Sequence, residues 1–202
     1  MVDQGRDFHQ HTTNPFAVFA HNPNGVCFDT QEKGERIILL LRQHWITQLG
    51  AVLEIVLVVL LPVLATPLVG VAGINLGDFL EPKQLFWMVI CWYLFTFGFA
   101  FSKFIHWYFN VYILTNERIV DFDYRGILHI ETAYANLDQI QDVSPKIIGF
   151  FGTLFHFGNV FLQTAGERPE FEFHHVVKPD EVSSRILEEV RLESAEVPGE
   201  IK

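Results

Sequence analysis

Two long stretches without a charged residue constrain this 202-residue chain more than any other feature of its sequence. No Asp, Glu, Lys or Arg occurs in the 23 residues 55–77 or in the 18 residues 85–102. A helix rises about 1.5 Å per residue and keeps its backbone hydrogen bonds internal, so each stretch can cross a hydrocarbon core about 30 Å thick. We therefore predict a hairpin of two transmembrane helices, at about 46–72 and 85–107.

A buried core helix of a soluble protein and a cleaved signal peptide are the alternatives for apolar stretches of this kind. The length of both stretches favours lipid over a protein core. The first 44 residues are largely polar, the first apolar stretch begins late, and the second follows it at once. This order disfavours a signal peptide, and we expect a multi-pass membrane protein.

The distribution of charge predicts the orientation of the hairpin and excludes one class of partner. The connection between the two stretches carries one basic residue, Lys83, whereas six basic residues flank the stretches. Basic residues favour the cytoplasmic side, so we expect both termini in the cytoplasm. Residues 110–202 hold 16 acidic and 8 basic residues, a local charge of −8, which argues against nucleic acid as a partner.

The residues before the first apolar stretch divide into two parts. Residues 1–31 lack apolar periodicity, and we predict a mobile cytoplasmic tail. Within 32–45, Ile37, Ile38, Leu41 and Trp45 recur at helical spacing between basic residues. This pattern predicts an amphipathic lead-in helix that lies at the membrane interface, so that 32–109 forms one membrane region.

Beyond residue 110 the apolar period changes to two, which is typical of half-buried strands. Val120, Phe122 and Tyr124 alternate with aspartates, and a similar run at 128–132 predicts a hairpin partner. Further strands are predicted at 111–114, 160–164 and 171–175, separated by turn residues.

A closing helix follows the predicted strands. Pro179 suits a first helical position, and Val182, Ile186 and Val190 recur every four residues. We therefore predict an α+β fold with an antiparallel sheet capped by a C-terminal helix at 110–193, then a flexible terminus at 194–202.

Three segments in this order resemble the bacterial membrane-flanked pleckstrin-homology-like (PH-like) domain proteins. After the two apolar stretches come Tyr112-Ile113-Leu114-Thr115-Asn116-Glu117-Arg118-Ile119, then Leu137-Asp138-Gln139-Ile140-Gln141-Asp142-Val143, then Phe157-Gly158-Asn159-Val160. The resemblance covers about residues 32–192. It implies a strongly bent, seven-stranded sheet or barrel with a C-terminal helix, no catalysis, and binding or assembly at the bacterial plasma membrane. Related eukaryotic domains bind inositol phosphates through a basic loop, whereas the turns here are acidic or neutral, which argues against a phosphoinositide ligand.

One carboxylate is a candidate functional group within the membrane region. If the first span begins at Ile46, Glu54 lies about 12 Å along the helix axis, where an ionisable group is costly without a partner. Lys103 lies at a similar depth on the returning helix, so we predict a Glu54–Lys103 ion pair, with His106 as the substitute partner. The alternative is a span that begins at Ile55, with Glu54 at the interface and Lys103 snorkelling outward.

The aromatic segment 150–157 is a candidate contact surface. It contains four phenylalanines in eight residues, among them Phe150, Phe151 and Phe155. We favour ordinary core packing for this segment, and the alternative is a loop that contacts the bilayer or a partner.

The sequence contains no recognised catalytic or phosphate-binding motif. The close histidine pairs, His9 with His11 and His174 with His175, lack the further ligands that a metal site needs, so we predict no metal and no cofactor. The leading hypothesis is a membrane-anchored, non-catalytic binding or scaffold module with a protein partner or a second copy of itself. The alternative is a subunit of an oligomeric membrane transport or export complex, because two helices cannot enclose a pore.

Overall fold

The computed structural model of the chain describes residues 16–23, 25–28, 30–73, 80–124, 130–165 and 170–195. The chain forms two compact units. The helical unit is Ile46–Trp107, and the sheet unit combines Met1–Trp45 with Tyr108–Lys202. The chain therefore leaves the sheet unit, forms the helical unit and returns to the sheet unit.

Two long apolar helices make up the helical unit. A short 3₁₀ turn at Trp45–Gln48 leads into α1 (Leu49–Val71), and α2 spans Pro82–Phe109. Both are long and apolar enough to cross a membrane, and almost none of their residues are buried within the protein. Contacts at 3.0 Å between Trp92 and Val58, and at 3.5 Å between Lys103 and Glu54, show that the two helices run antiparallel.

The prolines of α1 do not end the helix, which continues through Pro62 and Pro67 to Val71. A proline has no N–H, so each one deprives the carbonyl four residues earlier of its helical donor. Side chains replace both donors: the Trp92 indole donates to the Val58 carbonyl at 3.0 Å, and the Thr66 hydroxyl donates to the Val63 carbonyl at 3.1 Å. The backbone is therefore satisfied without water at both prolines.

Eight described strands form the sheet unit. One antiparallel sheet has the order β1-β2-β3-β4-β5, and a second has the order β6-β7-β8. The strands are β1 (Phe19–His21), β2 (Ile37–Arg42), β3 (Val111–Thr115), β4 (Arg118–Tyr124), β5 (Ile130–Asn136), β6 (Ile140–Lys146), β7 (Phe157–Thr164) and β8 (Glu170–Val177). The strand pairs predicted after residue 110 are confirmed, while the turn at 125–129 lies outside the described residues.

The segment 37–42 corrects the predicted amphipathic lead-in, because it forms strand β2 rather than an interfacial helix. All six of its residues are buried. β2 pairs antiparallel with β3, from Ile37 opposite Thr115 to Arg42 opposite Val111. The strands on either side of the helical unit are therefore neighbours in one sheet.

Arg42 fastens the end of β2 to the end of α2 within the sheet unit. Its guanidinium lies 4.7 Å from the ring centroid of Tyr108 and donates to the Tyr108 carbonyl at 3.1 Å. It also donates to the carbonyl of Ala17 at 3.0 Å. Burial lowers the pKa of Arg42, against the opposing influence of Tyr108.

Apolar clusters cover both faces of the five-stranded sheet, so β2 is buried on both sides. The larger cluster includes Leu39, Leu41 and residues of the second sheet, and the smaller one joins Ile37 to Ile113 and Val120. The closing helix α4 (Pro179–Ala195) buries Val182 and Ile186 in the larger cluster, as predicted. Helix formation continues to Ala195, beyond the predicted boundary at 193.

Among the described residues, the single seven-stranded sheet or barrel implied by the resemblance is not formed. The described strands make two sheets, and an isolated bridge from Gln43 to Val176 joins them without closing a barrel. The predicted mobile tail is also partly ordered, because Phe19–His21 pairs with β2 as strand β1. Residues 1–15 of the tail and residues 196–202 of the terminus lie outside the described residues.

A buried ion pair holds the segment before β2 against β3 and β4. The Glu35 side chain is fully buried and receives two hydrogen bonds from Arg118, at 3.0 and 2.9 Å. The Thr115 hydroxyl and the Glu32 backbone N–H also donate to it. Burial opposes ionisation of Glu35, but these four hydrogen bonds outweigh it and lower the pKa of the carboxyl group.

The Trp92 hydrogen bond predicts a non-additive pair of substitutions. Trp92→Phe removes the donor to Val58 and is expected to lower the unfolding free energy of the protein in detergent by about 1 kcal/mol. In a Pro62→Ala background the restored N–H serves Val58, so the same change should cost less. Trp87→Phe, at an exposed position of the same helix, is the control. Equal losses in both backgrounds would contradict the interpretation.

The Glu35–Arg118 pair predicts an acid-sensitive sheet unit. Arg118→Met leaves a buried carboxylate without its charge partner and is expected to cost about 3 kcal/mol in unfolding free energy. Breaking the exposed Arg185–Glu188 pair with Glu188→Gln should cost about 0.5 kcal/mol or less.

Because the folded-state pKa of Glu35 is lowered, its contribution is present above the ordinary value of 4.5 and is lost as pH falls below it. Denaturation at a series of pH values measures this loss, which should be smaller in Arg118→Met.

Candidate functional site

The structure brings together two of the three residues predicted for an intramembrane cluster. The Lys103 Nζ atom lies 3.5 Å from the Glu54 Oε2 atom, and the two side chains are 41% and 53% exposed. Glu54 lies in the second turn of α1, and Lys103 also lies 5.1 Å from the ring centroid of Phe99. His106 lies in the last turn of α2, one turn beyond Lys103. The pair cancels two charges on the outer surface of the apolar helices.

The predicted aromatic contact residues lie on a short helix of the sheet unit. Helix α3 (Gly149–Phe155) begins at Gly149, whose φ of 78° suits a residue without a side chain. Phe150 and Phe151 are 76% and 62% exposed, so the favoured interpretation as ordinary core is wrong for these two residues, whereas Phe157 of the same segment is buried in the core. Leu154 and the preceding Ile148 are exposed as well, and Phe155 is partly so.

The inner face of α3 explains why its large side chains point outward. Gly152 is the buried residue of this helix. A Cβ atom there would lie 3.0 Å from the Phe157 carbonyl oxygen and 3.4 Å from Ile147. The helix thus approaches the sheet through its smallest residue, which leaves no room for Phe150 or Phe151 to turn inward.

Phe155 joins α3 to an aromatic cluster at the end of β2. Its ring centroid lies 6.4 Å from both His44 and Trp45, and His44 stacks on Phe157 at 5.2 Å. Burial lowers the pKa of His44, so this imidazole is neutral at neutral pH. We define the aromatic patch as the exposed members of this region: Trp45, Ile148, Phe150, Phe151, Leu154 and Phe155.

An open pocket of about 250 Å³ in the sheet unit was not predicted from the sequence. Its polar lining residues include Tyr112, Asp121, Asp123, Glu172 and His174. Burial raises the pKa of Tyr112, so its hydroxyl stays protonated. Carboxylates dominate the charge of this pocket, so it disfavours phosphate groups. The alternating Asp121 and Asp123 of β4 were the one sequence signal for it.

The histidine pairs give no metal site in the part of the chain that the structure describes. His174 Nδ1 lies 3.4 Å from Glu172, and the neighbouring His175 has a left-handed φ of 54°. Burial and the proximity of His174 lower the pKa of His175. Within the described ranges, no group of three His, Cys, Asp or Glu side chains has a metal-binding arrangement. His9 and His11 lie outside those ranges.

These features define a class of protein: an antiparallel PH-like α+β unit that is interrupted, between two neighbouring strands, by two long apolar helices. A sequence model of the family described as "Bacterial PH domain" matches residues 45–190, more than half of the chain. The chain belongs to this bacterial PH domain family. No curated protein and no solved structure matched it.

The family match begins after β2, although β2 completes the same sheet. PH-like domains typically bind proteins or lipids and are typically not catalytic. The family therefore indicates a binding or scaffold module.

The Glu54–Lys103 pair predicts energetic coupling between the two apolar helices. In detergent, Glu54→Gln and Lys103→Met should each destabilise the protein, and the double variant should lose less than the sum of the two. Because both side chains are about half exposed, we expect a coupling of about 0.5 kcal/mol in detergent. Additive losses would show that the contact contributes nothing to stability.

Proposed function

We propose that the chain is a membrane-anchored, non-catalytic PH-like binding or scaffold module at the cytoplasmic face of the bacterial plasma membrane. The two apolar helices form the anchor, and the sheet unit is the binding module. The partner is a protein or a second copy of the chain, held close to the lipid bilayer.

The pairing of β2 with β3 carries this proposal. Arg42 and Val111 are partners in one ladder, so both ends of the helical unit start from the same side of any membrane. A chain that leaves and returns to the same side crosses the membrane an even number of times, which two helices satisfy. The basic residues that flank the apolar stretches favour the cytoplasm as that side.

The exposure of the two helices supports insertion in lipid rather than burial in protein. The helices leave large side chains such as Leu57, Leu64 and Leu94 exposed along their length. Polar groups within the helices are paired internally, by the Trp92 and Thr66 hydrogen bonds and by the Glu54–Lys103 contact. Internal pairing of this kind is what a solvent without hydrogen-bonding groups requires.

Charge supports a protein partner over a phosphoinositide. The region 110–202 carries a net charge of −8, and the described pocket is lined by carboxylates. A lipid phosphate would meet repulsion in that pocket, whereas a basic segment of a protein would not.

Cysteine labelling in intact bacteria tests the anchor and its orientation. With Cys27 and Cys91 replaced by serine, a single cysteine at Gly77 should react with a membrane-impermeant maleimide added outside the cytoplasmic membrane. A single cysteine at Leu192, an exposed position of α4, should react only after lysis. Labelling of Leu192→Cys in intact cells would contradict the orientation, and release of the protein by an alkaline carbonate wash would contradict the anchor.

A further inference from the structure

We propose that the aromatic patch is a second membrane contact, with α3 lying in the headgroup layer of the same leaflet from which the helical unit starts. This inference rests on the proposed function and extends it from the anchor to the sheet unit. Its occupant is the lipid bilayer.

The packing of α3 is the first argument. A helix on the surface of a protein in water usually turns its apolar face inward and its polar face outward. α3 does the reverse, with Gly152 against the sheet and Phe150, Phe151 and Leu154 outward. Several large apolar side chains that are adjacent and exposed mark an interaction surface rather than a solvated one.

The position of the patch identifies the occupant. Trp45 belongs to the patch and is also the residue at which the first candidate membrane span begins. The 6.4 Å contact between the Trp45 and Phe155 rings fixes α3 beside that starting point within the sheet unit. Aromatic side chains at the end of a span typically lie at headgroup level, and α3 extends the aromatic surface from there.

The charge of the residues around the patch also favours lipid as its occupant. The sheet unit is acidic after residue 110, yet residues 143–166 contain no Asp or Glu. Lys146 lies within this stretch, directly before Ile147 and Ile148, and its ammonium group is 5.7 Å from the Phe161 ring centroid. The patch is therefore a surface of an acidic domain that an anionic bilayer does not repel.

Site-specific quenching in vesicles tests the proposal on the full chain. Cys27 and Cys91 are replaced by serine, and a polarity-sensitive fluorophore is attached to Phe150→Cys, Phe151→Cys or Leu154→Cys. The protein is reconstituted into phosphatidylcholine with a minority of phosphatidylglycerol, with or without lipid that carries a nitroxide near the headgroup end of its acyl chain. Leu57→Cys in α1 is the positive control, and Leu192→Cys in α4 is the negative control.

We expect the nitroxide to reduce emission at the three α3 positions by about half and to leave Leu192→Cys unchanged. Quenching at Leu57→Cys without quenching on α3 would overturn this inference and leave the anchor intact. Absence of quenching at Leu57→Cys would instead overturn the proposed function. A blue-shifted but unquenched signal on α3 would show that protein, either a partner or a second copy, covers the patch, and would also overturn the inference.

A second variant separates the native surface from the apolar fluorophore. With the label at Leu154→Cys, the paired substitution Phe150→Ser and Phe151→Ser removes the two most exposed rings while leaving Gly152 against the sheet. The quenching should fall about twofold if these rings hold α3 in the headgroup layer. Unchanged quenching would show that the label alone brings α3 to the lipid, and would overturn the proposal.

Discussion

The antiparallel ladder between β2 and β3 is the contact on which the rest of the structure depends. It joins a strand made before the two apolar helices to one made after them. The ladder places β2 inside the five-stranded sheet, between β1 and β3, where apolar clusters cover both of its faces. Arg42 and the Glu35–Arg118 pair reinforce the two ends of this arrangement. Without the ladder, β1 and β2 would be detached from β3, β4 and β5, and the two ends of the helical unit would be free to separate.

The two apolar helices thus interrupt the sequence of the PH-like sheet unit between β2 and β3. The apolar helices do not follow the sheet unit or precede it, since strands lie on both sides of them in the sequence. Side chains of the helix pair satisfy the carbonyls freed by Pro62 and Pro67. The binding surfaces of the sheet unit differ in character. The described pocket is acidic, whereas the aromatic patch is apolar and free of acidic residues.

Much of the fold could be predicted because its period-two strands have one buried and one partly exposed face. Strand β7 is such a case, because Val160, Leu162 and Thr164 are buried and alternate with more exposed residues. The spacing of Val182, Ile186 and Val190, every four residues, predicted the closing helix. β2 could not be found in this way. A strand that is buried on both faces has no polar alternation, so Ile37, Ile38 and Leu41 also match a helical period.

Part of the candidate site could likewise be predicted from the sequence, and part could not. Glu54 and Lys103 could be paired from sequence because helix rise converts residue number into depth when two helices run antiparallel. The exposure of Phe150 and Phe151 could not be predicted from the sequence, because an aromatic run has the same composition in a core and on a surface. The close approach of Gly152 to Phe157 turns the phenylalanines toward the surface, and the periodicity of the sequence does not predict that approach. The acidic pocket depends on strands from separate parts of the chain, including residues near 43, 121 and 172.

The ladder between β2 and β3 also imposes an order on biosynthesis. β2 is synthesised first, but its partner β3 leaves the ribosome only after both apolar helices have been made. The six residues of β2, all buried in the finished fold, must remain unpaired with β3 during that interval. Completion of the sheet is therefore a late event that follows synthesis of both helices. A nascent chain stalled before Val111 would present an open apolar strand, the kind of surface that chaperones and proteases recognise.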